Sequence, residues 1–420
     1  MNLRDILEIT LNMPLTKDSE TKSLNLGLYV HIPFCETKCT YCDFNTYEKL
    51  EHLMPSYIEA LSKEISFWGN HLEHSFVDTI FLGGGTPSYL PEDSIKTLVE
   101  TIYLNYELAS PTEFTIECNP CDLSPIIVQT YLSLGINRLS VGVQSLSDQL
   151  LEVLGRRHDS RTAISALNMA RSEGVCNISA DLIYGLPYQT LSHWTETLKK
   201  IIDLELPHIS MYCLTLEKGT PLEIWVKSGR LPNPDTDLAA DMYELGMDYM
   251  TAAGYEHYEI SNWAIEGYQS NHNLRYWRNQ NYLGVGPGAH SYLNKERFSN
   301  LKSPRDYIKL MLSLYSTKDY FDEDGSLQTT DLPMVETVEK IGRELEIAET
   351  LMMGLRLSEG IKISDFKNRF GITPEGMYRE TITELLSHKL IERNQSSIKL
   401  TERGRLLGNE VFSRFLEPFL

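Results

Sequence analysis

The chain has 420 residues, 42% of them apolar, with 58 acidic against 38 basic side chains and a formal net charge of −20. That length holds one large core plus a smaller module or two, and no apolar run is long enough to span a bilayer. So acidic a surface repels phosphate backbones and excludes broad nucleic-acid binding. Residues 341–420 carry 12 basic and 12 acidic side chains, so no local basic footprint offsets it.

The first 23 residues mix Asp5, Glu8, Asp18 and Glu20 with few basic residues, unlike a secretory signal, which predicts a cytosolic protein. Seven cysteines, three of them in one motif and the rest scattered, fit a reducing compartment better than a disulfide framework. From Leu26 onward, apolar strand-like runs alternate with amphipathic helical patterns. Strands are predicted to start at Leu26, Phe76, Glu113, Arg138, Asn177 and His208. Six such βα units make an α/β fold with a parallel sheet, an open partial barrel. Ser124-Pro125 reads as an N-cap with a first-turn proline, and Gly135 and Gly174 fall where helices should stop.

From Glu217 to Lys340 the pattern is irregular, with a proline-rich turn at Leu231–Asp235 and a long run from Asn271 to Tyr292. This region is expected to cover the barrel mouth or its open edge. The last eighty residues look helical and end in a hairpin over Leu390–Leu400, a winged-helix-like α+β module for structure or partner contact. The expected division is therefore 1–23 as an extension, 24–216 as the barrel, 217–340 as the covering region and 341–420 as the module.

In barrels of this kind the chemistry lies in loops after the C-terminal ends of the strands. There stand Cys35, Cys39 and Cys42, at C-x3-C-x2-C spacing after the first strand. A tetrahedral zinc site wants four protein ligands, and no fourth Cys or His follows at finger spacing. Three thiolates can instead hold three irons of a [4Fe-4S] cube and leave the fourth open, as chelation and reductive cleavage of S-adenosylmethionine require. A zinc knuckle or three unrelated buried thiols are the plainer readings.

Gly83-Gly84-Gly85-Thr86-Pro87 follows the second strand. Three glycines let a backbone approach a ligand closely, although such a triplet is most often only a tight turn. Glu117 and Asp181 are carboxylates within apolar strands, a costly placement unless paired. A ribose hydroxyl pair or an ammonium group would serve, as would a structural salt bridge to Arg138 or Arg156. Gln144 and Arg156 could bind a carboxylate or cap a turn, and Tyr29 could pack near an adenosyl group or fill core. Cys118 and Cys121 form a C-x2-C without a thioredoxin-like context. Gly284, Gly286 and Gly288 imitate a dinucleotide loop at the wrong spacing. The run His272-Asn-Leu-Arg-Tyr-Trp277 joins an imidazole, a candidate axial ligand of haem iron, to aromatic rings suited to a porphyrin face; a lone His is more often structural.

The cysteine loop, the Gly-Gly-Gly-Thr-Pro turn, Glu117-Cys-Asn-Pro, Gly142-Val-Gln144-Ser, Asp181-Leu-Ile-Tyr-Gly-Leu-Pro187 and His272-Asn-Leu-Arg-Tyr-Trp277 occur in this order. With them the chain resembles the radical SAM family of HemN and HemW from about Leu26 to the C-terminus. The resemblance implies a partial (β/α)6 barrel and one [4Fe-4S] cluster on Cys35, Cys39 and Cys42. It implies S-adenosylmethionine contacts from Tyr29, Gly84, Gly85, Thr86 and Glu117, with Gln144, Arg156 and Asp181 at further positions. Gly83 and Tyr41 are placed in the same cofactor-binding set, and no residue is assigned a catalytic role. The HemN branch carries a fourth cysteine two residues after the third, where this chain has Phe44. Cys42-Asp-Phe-Asn and the His-Asn-x-x-Tyr-Trp run look like the HemW branch, which implies a haem chaperone with His272 as the candidate haem contact. Its implied partners are acceptor haemoproteins and an electron donor for the cluster, and a homodimer and peripheral membrane contact are compatible with it. The alternative is an oxygen-independent coproporphyrinogen III oxidase. Radical modification of tRNA conflicts with the charge.

Overall fold

Parallel strands buried on both sides read as near-continuous apolar runs, and the runs picked out in the sequence become the centre of one twisted sheet. The structure, a computed structural model, describes residues 25–72, 75–314 and 329–419. The expected extension over 1–23 lies outside them. Strands β1 (Asn25–Ile32), β2 (Phe76–Gly84), β3 (Glu107–Cys118), β4 (Arg138–Gln144), β5 (Asn177–Tyr184) and β6 (His208–Cys213) pair in sequence order, all parallel. Leu26, Leu28, Val30 and Ile32 of β1 are fully buried in the main core, while Tyr29 on the other face is only half-buried.

One boundary differs from expectation. Pairing in β3 begins with Glu107 opposite Phe76 and Leu108 opposite Val77, breaks, and resumes at Glu113 opposite Thr79. The four residues between contain Pro111, which has no N–H to give a ladder and sits where the strand bulges. The helix signals hold: Ser124 Oγ accepts the Ile127 N–H at 3.3 Å ahead of the helix Pro125–Ser133, and Gly135 and Gly174 follow helices with φ of +82° and +100°.

The sheet does not stop at six strands. On one side β8 (Asn262–Ala264) pairs antiparallel to β6, and β7 (Glu256–Glu259) pairs antiparallel to β8 at the edge. On the other, β9 (Tyr282–Val285) pairs parallel to β1, followed by the antiparallel strands β10 (His290–Leu293), β11 (Glu296–Asn300) and β12 (Val335–Lys340). Residues after 217 thus extend both edges of a twelve-stranded sheet. A separate three-stranded antiparallel sheet, β13 (Ile361–Lys362), β14 (Ile391–Arg393) and β15 (Ser397–Leu400), packs with helices around Phe366, Phe370, Ile382, Phe412 and Phe415. The expected hairpin is β14–β15, its turn held by Asn394 Oδ1, which accepts from the N–H groups of Ser396 and Ser397 at 2.8 Å.

The late strands are tied to the early ones by a buried acid. Helix Met54–His71 presents Tyr57, Leu61, Ile65 and Trp68 to the core, and Glu64 lies fully buried on the same face. Its carboxylate accepts from Tyr307 Oη at 2.5 Å, Asn300 Nδ2 at 2.6 Å and the Gly286 N–H at 2.8 Å. Burial raises its pKa above the usual carboxylate range, and these three donors oppose the rise. Replacing Glu64 with Leu leaves the Tyr307 hydroxyl and the Gly286 N–H without their acceptor, Asn300 Nδ2 keeping only Gly286 O at 3.0 Å, and is expected to cost about 3 kcal/mol. Glu64→Gln, which keeps one acceptor oxygen, should lose less. Thermal unfolding of the two variants checks this, and equal midpoints for Glu64→Leu and wild type would contradict it.

Candidate functional site

The loop leaving β1 is held by continued backbone pairing. The Gly85 N–H donates to Ile32 O at 2.7 Å and the Thr86 N–H to Phe34 O at 2.8 Å, so the exits of β1 and β2 run together beyond the strands. Cys35 N–H to Tyr47 O (2.9 Å) and Tyr47 N–H to Pro33 O (2.8 Å) close the loop on itself. A Cβ at Gly85 would lie 2.6 Å from Phe34 O, 2.9 Å from Ile32 O and 3.1 Å from Cys35 Sγ. Only glycine fits this approach.

Around this loop the strand ends enclose a cavity of about 610 Å³. Cys35, Cys39, Tyr41, Cys42, Gly84, Gly85, Thr86, Glu117, Gln144, Arg156 and Asp181 all line it, from five different strands or the loops after them. All three thiols are free. The Thr86 hydroxyl donates to Cys35 Sγ at 3.4 Å, Arg156 Nη1 donates to Cys39 Sγ at 3.3 Å, and Cys42 Sγ lies 3.8 Å from Thr46 Oγ1. Arg156 Nη2 is anchored on Gly142 O at 2.7 Å, while its buried Nε has no partner. Burial pushes the Cys35 and Cys42 thiols upward in pKa, so iron binding there must expel protons.

The donor set fits an iron–sulfur cube: three sulfur ligands reach one cavity, and hydrogen-bond donors are already aimed at two of them. Among the described residues no three His, Cys, Asp or Glu side chains converge as a single-ion site. A cube spreads its protein ligands over separate irons.

The two carboxylates stand in the cavity wall. Glu117 accepts the Gly84 N–H at 3.0 Å, and burial pushes its pKa up to about 7 against that hydrogen bond. Asp181 accepts from Ser140 Oγ at 2.8 Å and Ser179 Oγ at 3.0 Å, and burial raises it too. Arg138, read from sequence as a structural salt-bridge partner, lines the same cavity and is only 2% exposed. Among the described residues it makes no ion pair within 4 Å, its Nε is unpartnered there, and its charge lowers the pKa of both acids. Gln144 takes φ +65°, a left-handed conformation uncommon outside glycine, which turns the chain at the end of β4.

Three predicted residues stand elsewhere. Gly83 lies in β2 beneath the rings of Phe81 and Tyr29, which a Cβ would strike at 2.8 and 3.1 Å. Tyr29 lines a second cavity, its hydroxyl 3.0 Å from His31 Nδ1. His272 is fully buried: Nδ1 lies 2.9 Å from Thr79 Oγ1, Nε2 lies 2.8 Å from Tyr276 Oη, and the ring stacks on Phe81. Burial lowers its pKa to about 3. With both nitrogens engaged and no exposed surface, it offers no lone pair to an iron in this arrangement. Its neighbour Asn273 does reach the main cavity. Reading the motif by its imidazole alone missed that residue.

Residues 29–201 match the radical SAM superfamily model, and residues 343–407 match the HemN C-terminal domain. The protein named Heme chaperone HemW from Bacillus subtilis (strain 168) is 38% identical over 389 residues, covering 92% of this chain and 98% of that one. Its namesake from Escherichia coli (strain K12) is 33% identical over 398 residues, covering 93% and 98%. The chain belongs to the HemW family of radical SAM proteins. Membership of that superfamily implies a [4Fe-4S] cluster and S-adenosylmethionine. The solved structure of Escherichia coli coproporphyrinogen III oxidase (HemN) superposes with a TM-score of 0.79 at 23% identity, over 99% of this chain and 93% of that one. That likeness shows a fold shared between HemW-family and HemN proteins. Among the described residues no helix is long and apolar enough to cross a membrane.

The raised pKa of Glu117 sets a pH dependence. Its neutral form is favoured in the folded chain, so its contribution to stability is present below the ordinary carboxylate pKa and is lost as pH rises through about 7. Without added cofactor, Glu117→Gln should therefore gain stability over wild type between about pH 5 and pH 8, by at most about 3 kcal/mol. Thermal midpoints across that range check the sign. A gain that shrinks with rising pH would contradict it.

Proposed function

We propose that this chain is a haem chaperone, which binds one haem and passes it to acceptor haemoproteins. On this reading Cys35, Cys39 and Cys42 each hold one iron of the [4Fe-4S] cluster, and the fourth iron takes S-adenosylmethionine. The observation that carries it is the three-thiol cavity with Phe44, 64% exposed, in the place where the oxidase branch has a fourth cysteine. The names of the HemW relatives support the same reading.

When bound, the cluster supplies an electron to the sulfonium. The chain's own residues do the rest. Thr86 and Arg156 donate to sulfur, which stabilises the thiolate form. Glu117 and Asp181 offer acceptor oxygens to ribose hydroxyls or an ammonium, and Gly84 and Gly85 allow backbone contact with the methionine part. Gln144 and Tyr41 complete the wall. We further assign residues 24–216 as the barrel, 217–340 as the region that extends it and 341–420 as the winged-helix-like module, and 1–23 as an extension. Haem-accepting proteins, an electron donor and a second copy of the chain are its partners, in the cytosol or at a membrane surface.

Titration of the anaerobic protein with haem, beside a turnover assay on coproporphyrinogen III, tests the reading. The expected result is a Soret band saturating at about one haem per chain with no consumption of coproporphyrinogen. Robust turnover without a Soret band would replace the chaperone with the oxidase.

A further inference from the structure

If His272 is sealed in the core, haem needs another site. The second cavity, about 630 Å³, lies within the size range of ligand sites, about 300–1,000 Å³. It is floored by the face of the sheet on which Tyr29 of β1, Tyr282 of β9 and His290 of β10 lie. Tyr276 and Phe44 add ring surface, and Phe44 also lines the cysteine cavity, so the two spaces adjoin. These rings offer flat faces of the kind a macrocycle packs against, and His31, Lys38, Asp43 and Glu117 line the rest of the space.

His290 is exposed, and neither ring nitrogen has a hydrogen-bond partner among the described residues. Partial burial, with Lys302 and Arg297 nearby, lowers its pKa, which keeps a lone pair available. Lys302 also lines the cavity, and its ammonium makes no ion pair among the described residues. In a chain of net charge −20, an unpaired cation beside a free imidazole and aromatic walls is a match for a planar metal chelate bearing carboxylates. Two neighbouring cavities lack this set: the first is lined by the cysteines and holds no histidine, and a third of about 560 Å³ has neither histidine nor more than one aromatic residue.

We propose that haem sits in the cavity against β1, β9 and β10, with His290 as its iron ligand and Lys302 facing its propionates. This rests on the haem-chaperone reading and names its site. Haem bound there meets the cysteine cavity across Phe44, so the cluster and the cargo share one wall.

The test uses the full chain, titrated anaerobically with ferric haem and, separately, with iron-free protoporphyrin IX. His290→Ala is expected to move the Soret band and weaken ferric haem binding about tenfold or more. It should leave binding of the iron-free ring and the iron–sulfur absorption as they are, and added imidazole should restore the wild-type spectrum. Lys302→Glu should weaken both porphyrins without moving the Soret band. A wild-type spectrum in His290→Ala, or an equal loss for both porphyrins, would overturn the assignment while leaving the chaperone reading intact. A wild-type chain that takes up no haem would overturn the chaperone reading and this site together.

Discussion

Two backbone hydrogen bonds carry the site. Gly85 N–H to Ile32 O and Thr86 N–H to Phe34 O prolong the β1–β2 ladder beyond the point where the strands end. They press the cysteine loop against the glycine turn so closely that Cys35 Sγ stands 3.1 Å from where a Gly85 Cβ would be. A loop of this length without such pairing would sample many conformations, and ordering it costs roughly 1–2 kcal/mol per residue. The ladder orders the loop before any cofactor arrives. It also sets the height at which the other strands must deliver their side chains: Glu117, Gln144 and Asp181 all come from strand positions near that level.

The second constraint is electrostatic. The inner face of the sheet holds Glu117, Asp181 and Arg138 in a space largely shielded from water, and among the described residues these groups are not joined in ion pairs. Serine hydroxyls and a backbone N–H satisfy part of the acids, and Arg138 stabilises their charge from farther away. The remainder of their capacity points into the cavity. At Glu64, by contrast, the buried carboxylate takes three donors that join strand regions far apart in sequence. The contrast separates an acid that builds the fold from acids held ready for a ligand.

Much of this was legible in the sequence, for definable reasons. Five of the six central strands start within a residue of where their apolar runs begin, because parallel strands covered on both faces need such runs. The start of β3 was displaced because pairing across Phe76 and Val77 precedes the proline bulge, and a bulge leaves no periodic mark. The short strands β7 to β12 went unread for a related cause: segments of three to six residues carry too little alternation to distinguish them from loops. The cysteine loop and its companions were readable because spacing and chain order are enough to gather them at one sheet end. The histidines were not. His272 drew notice for its aromatic neighbours, yet Phe81 and Tyr276 are what bury it and bind its ring. His290, which opens the short strand β10 after a glycine turn, had no such company in sequence and acquires it only through the pairing of β9 with β1.

The account depends on three thiolates and no fourth protein ligand at the end of β1. Electron paramagnetic resonance of the anaerobically reconstituted and reduced protein, recorded before and after adding S-adenosylmethionine, tests that most directly. The account predicts the signal of a single reduced [4Fe-4S] cube that changes when the sulfonium compound binds the free iron. Purified protein holding zinc in place of iron, or a cube whose signal is unmoved by S-adenosylmethionine, would contradict it.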